Sequence, residues 1–244
     1  MKIYKYRDFS NPTEDNFRHL AASIHRHLVW CARPDTLNDP EEFIWACDYS
    51  VTPATLGLLA EVIVRAHGRT HAEALVIAER AIKSGNLVGL TKPVIAGIIA
   101  QCRAEVGLAG FGTAPDNETL WERYGGNGAG ICIEFLVPDA AVGTQFHRVL
   151  YPREKWLHFD QLLSAFVKAT GYSKQVYELA LLSKPSSWAS EDEIRFVSQR
   201  HSIQVALDKA QVPCVFLGDK LKANVRERIQ RIAGSVLLVG RGRH

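Results

Sequence analysis

At 244 residues, with 47% hydrophobic and 23% charged residues, the chain has ordinary globular composition, which excludes a largely disordered protein. One large domain with a packed core is the starting expectation at this length. A net charge of +3 with pI near 8.6 is too mild to mark a dedicated nucleic-acid binder.

The opening residues Tyr4-Lys5-Tyr6-Arg7 are β-rich and alternate side-chain types, so they predict a strand. They lack the apolar core of a secretory signal, and no apolar run nears the ~20 residues that cross a bilayer. A cytoplasmic protein with no membrane partner is therefore expected. Asn11-Pro12-Thr13-Glu14-Asp15 supplies an N-cap, an N1 proline and early acids for a first helix. A short strand over His27–Ala32 ends at Arg33-Pro34 and at the rigid turn Leu37-Asn38-Asp39-Pro40.

From Thr52 to about Glu105 the apolar spacing becomes helical, through Leu56, Leu59, Ile63, then Ala74, Ile77, Ala81, then Val94, Ile98, Ile99. Three helices are predicted, as an insert at about 52–106 packed against the sheet of a single domain spanning 1–244. Strand signals return at 107–112, 130–135, 146–151, 191–197 and 212–218. Helical patterns lie at 117–124, 158–169, 174–183 and 220–233, the first capped by Asp116 or Asn117. This irregular alternation predicts an α+β fold with a mixed, mostly antiparallel sheet. Five scattered cysteines (Cys31, Cys47, Cys102, Cys132, Cys214) without a CxxC pair read as reduced, mostly buried thiols.

Four motifs carry candidate chemistry. On the first strand Lys5 and Arg7 share one face and Tyr4 and Tyr6 the other, so a cation pair there suits a phosphate, or merely a solvated edge. Asn38 and Asp39 before Pro40 fix a turn that can aim polar groups, or serve the turn alone. Trp121 and Tyr124, three apart on a helix, suit either a stacking platform for a base or nicotinamide ring, or the core. The glycines after them lack Rossmann spacing. In Lys184-Pro185-Ser186-Ser187-Trp188-Ala189-Ser190-Glu191-Asp192-Glu193-Ile194-Arg195, a strand from Glu191 onward would put Glu191, Glu193 and Arg195 on one face. That patch reads as a tunable acid/base pair or as a salt-bridged outer strand.

Taken in order, Tyr4-Lys5-Tyr6-Arg7, Asn38-Asp39-Pro40, Leu120-Trp121 with Tyr124 and Gly130, then Lys184, Trp188 and Glu191-x-Glu193-x-Arg195 resemble the bacterial "domain of unknown function 2971" family over most of the chain. That family implies no assigned activity. A looser resemblance is to ADP-ribosyltransferases, whose split sheet carries an Arg or His on its first strand and a late Glu-x-Glu pair. It implies NAD as cofactor, Glu193 on the ribose hydroxyl, Arg7 on phosphate, an aromatic on nicotinamide, and Glu191 orienting or deprotonating the acceptor. The Ser-Thr-Ser motif of those enzymes is absent, and Asn38-Asp39-Pro40 is not part of their signature.

The leading expectation is an NAD-using transferase or glycohydrolase acting on a macromolecule, within bacterial conflict or defence. A non-catalytic nucleotide or nucleic-acid binding module using Lys5, Arg7, Arg195 and the aromatics is the alternative. A Mg²⁺-dependent nuclease with Asp39, Glu42, Glu191 and Glu193 as oxygen ligands is a third.

Overall fold

The computed structural model describes residues 1–37, 46–153, 156–167 and 181–241. The chain forms two compact units. The first takes residues 1–36, 106–149 and 187–244, and the second 37–105 and 150–186. The helical stretch predicted as an insert in a single domain thus belongs to a unit that also draws in a later segment.

In the first unit, seven strands form one sheet in the order β11-β10-β5-β1-β4-β8-β6. These are β1 (Lys2–Arg7), β4 (Gly107–Gly112), β5 (Ile131–Leu136), β6 (Phe146–Arg148), β8 (Glu193–Ser198), β10 (Gln211–Leu217) and β11 (Leu237–Gly240). Every pairing is antiparallel except β10 with β11, so the sheet is mixed and mostly antiparallel and the fold is α+β. A separate antiparallel pair joins β2 (Leu28–Cys31) to β9 (Ile203–Ala206).

One sheet face buries Ile3, Phe111, Ile133, Phe135, Ile194, Phe196 and Val215 together with Phe17, Leu20 and Ile24 of helix α1 (Glu14–Arg26) and Val225 and Ile229 of helix α7 (Ala223–Ala233). Both helices place apolar residues three or four apart on one side, which is why they lie flat on the strands. Helix α1 begins two residues later than the sequence suggests. Thr13, not a residue before Pro12, is its cap, and its N–H donates to Asn16 Oδ1 at 2.8 Å. The opposite sheet face carries Tyr4, Tyr6, Cys132, Cys214 and Phe216 against Leu120 and Trp121 of helix α5 (Glu118–Arg123).

The second unit holds the three predicted helices, α2 (Thr55–His67), α3 (His71–Ser84) and α4 (Leu87–Glu105), with α6 (Phe159–Val167) and the parallel pair β3 (Ala46–Asp48) and β7 (Trp156–His158). Leu59, Ile63, Ala74, Ala78 and Phe159 build its core. Ile77 is exposed rather than inward, because Ala74 and Ala78 define the buried side of α3. The side chains of Val94, Ile98 and Ile99, and most of the helix expected over 174–183, lie outside the described residues. Among the described residues no helix is long and apolar enough to cross a membrane. Cys31, Cys132 and Cys214 are free and buried, and Cys47 is half-buried. Burial pushes the thiols of Cys31, Cys47 and Cys214 up to about 11, far from a reactive thiolate.

Candidate functional site

Strand β1 is the centre of the seven, and its pleat sends alternate side chains to opposite layers. Tyr4 pairs with Gly112, and Gly112 with Glu193, so the phenols and the Glu193 carboxylate share a face. Lys5 and Arg7 project to the other one. The expected pocket, with Arg7 and Glu193 facing one ligand, is therefore not formed within this sheet. Lys5 also differs from the expected phosphate ligand, since its Nζ donates to the Gly110 carbonyl at 2.7 Å and stands over the Phe111 ring.

Glu191 does not belong to the late strand. A 3-10 helix runs from Ser186 to Glu191, Asp192 then adopts φ of 42°, and β8 starts at Glu193. The left-handed step, which aspartate tolerates better than most residues, turns the two glutamates toward different partners. Glu193, 9% exposed, takes two hydrogen bonds from Arg195, itself 1% exposed: Nε to Oε1 at 3.0 Å and Nη2 to Oε2 at 3.2 Å. Gly110 makes room for this pair, because a methyl group there would stand 2.6 Å from Glu193 Oε1.

Glu191 is 1% exposed and reaches α5 instead. Its Oε1 accepts from Arg123 Nη1 at 3.0 Å and from the Tyr124 hydroxyl at 2.9 Å. The partly exposed Arg123 guanidinium lies 4.4 Å from the centre of the half-buried Trp188 ring. Asn117 ties the two segments together. Its side-chain oxygen caps α5 by accepting the Leu120 N–H, while its amide nitrogen donates to the carbonyls of Ser190 and Glu191. Arg123 and Asn117 are the members of this cluster that motif reading did not assign. The only clue to Arg123 was its place beside Tyr124 on the short helix.

Trp121 is core, not a platform. It is 1% exposed, meets Tyr6 edge to face at 5.4 Å, donates Nε1–H to the Pro115 carbonyl and is covered by Arg241 at 5.1 Å. Tyr6 donates to the Ala114 carbonyl at 2.6 Å, and Tyr4 donates to Glu134 Oε2 at 3.0 Å. Burial above all, with the adjacent Glu134 carboxylate at Tyr4, raises both phenol pKa values, so both remain protonated donors. The glycine run after α5 has a structural cause. At φ of 57° Gly126 turns the chain against Asp8, and a Cβ on Gly130 would stand 2.2 Å from the Arg7 carbonyl. The loop is then strapped to the exit of β10 by Gly218 N–H to Gly130 O and Lys220 N–H to Gly128 O.

Asn38 and Asp39 lie outside the described residues, as does Glu42. Among the described residues no group of three His, Cys, Asp or Glu side chains is placed to hold a metal ion.

The second unit contains a different polar cluster. Ser50 Oγ lies 3.2 Å from His158 Nε2, and Asp48 stands 4.0 Å from the same nitrogen. The Asp160 N–H donates to His158 Nδ1, which leaves the neutral ring with its proton on Nε2. In that tautomer His158 donates to Ser50 and cannot take its proton, so the trio lacks the arrangement of a nucleophilic triad. Asp160 itself accepts from the hydroxyls of Thr52 and Thr55.

Comparison of the chain with protein-family models, with curated proteins and with solved structures gives no match.

Proposed function

We propose that this chain acts on the glycosidic bond of NAD, as an ADP-ribosyltransferase or NAD glycohydrolase directed at a macromolecular target. Glu193 and Glu191 are its acidic residues and Trp188 is the ring-stacking surface. The observation that carries the reading is a pair of buried glutamates two residues apart, one of which, Glu191, accepts a hydrogen bond from the Arg123 guanidinium that lies over the half-buried Trp188 ring. Cleavage of a nicotinamide–ribose bond develops positive charge on the sugar, and a fixed carboxylate beside that carbon offsets it with little reorganisation. Arg195 locks Glu193 in one rotamer, as such preorganisation requires. Phosphate recognition on this face falls to Arg123 rather than Arg7, since Arg123 is partly exposed and lies over the indole ring.

The test is to incubate the purified chain with NAD and measure nicotinamide release, alone and with candidate protein and nucleic-acid acceptors. Turnover that disappears in Glu193→Gln while the fold is retained supports the reading. Absence of nicotinamide release and of acceptor labelling, with wild type and variant indistinguishable, removes it.

A second reading, a non-catalytic nucleotide or nucleic-acid binding module, is favoured by one specific observation. Both carboxylates are already satisfied by protein donors, Glu193 by Arg195 and Glu191 by Arg123 and Tyr124. It predicts salt-dependent binding of oligonucleotides without turnover.

A further inference from the structure

Arg7 is half-buried in the first unit. Its Nε is buried and has no hydrogen-bond partner, and among the described residues no carboxylate forms an ion pair with it. Burial alone lowers its pKa, with no opposite charge working against that loss. A guanidinium nitrogen left buried without a partner carries a desolvation cost, which a bound anion would offset.

The surroundings suit an anion. Arg7 shares its sheet face with Lys5, two residues away on the same strand. His19 stands on α1, the helix whose Phe17, Leu20 and Ile24 cover the sheet face to which Arg7 projects, and its pKa is lowered by burial and next by the charge of Arg7, with Arg18 adding to the lowering and Asp15 opposing it. The Asp15 carboxylate is engaged by Arg18. The His19 ring stacks on Trp30, centroids 6.0 Å apart and planes within 25°. Trp30 is 39% exposed although it stands on a strand, so part of its indole remains open to a ligand.

We propose that Arg7, His19 and Trp30 form an anion site that takes the phosphate of a nucleotide-type ligand, the guanidinium holding the phosphate oxygens and the indole edge of the site meeting the base. The site lies across the sheet from Glu193 and does not depend on the NAD reading. A guanidinium fork fits phosphate geometry, and an adjacent indole adds stacking to charge. Free nucleotides and the terminal phosphate of an oligonucleotide offer the same chemistry.

The full chain is titrated with inorganic phosphate, AMP and a 5′-phosphorylated oligonucleotide, following tryptophan fluorescence and thermal unfolding. Saturable binding with a rise in Tm is expected, AMP binding more tightly than phosphate. Arg7→Met should abolish the ligand-induced rise while its own Tm equals or exceeds that of wild type, because the desolvated charge is gone. Arg7→Lys should weaken binding at least ~10-fold through loss of the fork. Trp30→Ala should weaken AMP at least ~5-fold and leave phosphate unchanged. No saturable signal from any of the three probes at concentrations up to ~10 mM overturns the site, as does Arg7→Met binding like wild type. AMP and phosphate binding equally well would remove Trp30 from it. If the oligonucleotide binds and AMP does not, the ligand is a nucleic-acid end.

Discussion

Glu193 and Arg195 close on one another across one turn of the β8 pleat, through two parallel hydrogen bonds inside a buried layer. Breaking such a pair costs more than the pair itself contributes, because the remaining charge has lost its partner in a low-dielectric setting. Glu193→Ala should destabilise the first unit by ~3–5 kcal/mol, measured by chemical denaturation, whereas Glu193→Gln, which keeps an acceptor for Arg195, should cost clearly less. Any activity comparison should therefore rest on the glutamine variant.

Glu191 has a smaller safeguard. Tyr124→Phe removes a hydroxyl donor and leaves Arg123 in place, so a loss of about 1–2 kcal/mol is expected. Arg123→Met should cost more than Tyr124→Phe and should also change Trp188 fluorescence, since the guanidinium leaves the ring. Equal effects of the two variants on stability, with no spectral change, would contradict this arrangement.

The glycine run gives a contrast between two kinds of glycine. Gly130→Ala puts a methyl 2.2 Å from the Arg7 carbonyl and 2.7 Å from the Gly125 carbonyl, both backbone, so the loop must move. A loss of several kcal/mol is expected, on the scale of about 3 or more for an overpacked site. Gly143 has φ of 78° and open space around it, so Gly143→Ala should cost only ~1–2 kcal/mol for the left-handed backbone. Thermal melts of the two variants order the effects.

For His19, burial and then the charge of Arg7 hold the pKa below its usual value. On acidification the unfolded chain takes up this proton before the folded one does. The stability associated with the group is thus complete above the unfolded value of about 6.5 and declines as pH falls from there through the lowered folded value. His19→Gln should flatten the fall in Tm between about pH 7.5 and 5, and Arg7→Met should raise the His19 midpoint in an NMR titration.

Much of the fold was legible because the local signals agree with it. The first strand, the three helices of the second unit and β4 followed from period and turn chemistry, and Asn117 was readable as a cap. The start of β8 was not, because the φ of 42° at Asp192 leaves no mark in the residue pattern, and one left-handed residue moved Glu191 from a strand to a helix end. Strand β11 escaped notice because it is short and exposes Leu237. Alternation assigned Lys5 and Arg7 to one face and Glu193 and Arg195 to one face, yet period two within a strand cannot tell which face of a neighbour it matches. That depends on register across β4, where Gly112 stands opposite both Tyr4 and Glu193. Helical spacing put Trp121 and Tyr124 on one side, and Tyr124, just past the end of α5, packs against the cluster that holds Trp121, but only the arrival of Tyr6 and Arg241 makes the indole a core group.

Because β1 lies at the middle of the sheet with a layer of aliphatic residues and phenylalanines on one side and an aromatic layer of phenols and an indole on the other, its length is constrained by parity. Lengthening it by a single residue would carry Lys5 and Arg7 into the aromatic layer and expel both tyrosines from it. Residues along this strand can be exchanged one at a time, but the strand itself can grow or shrink only in twos.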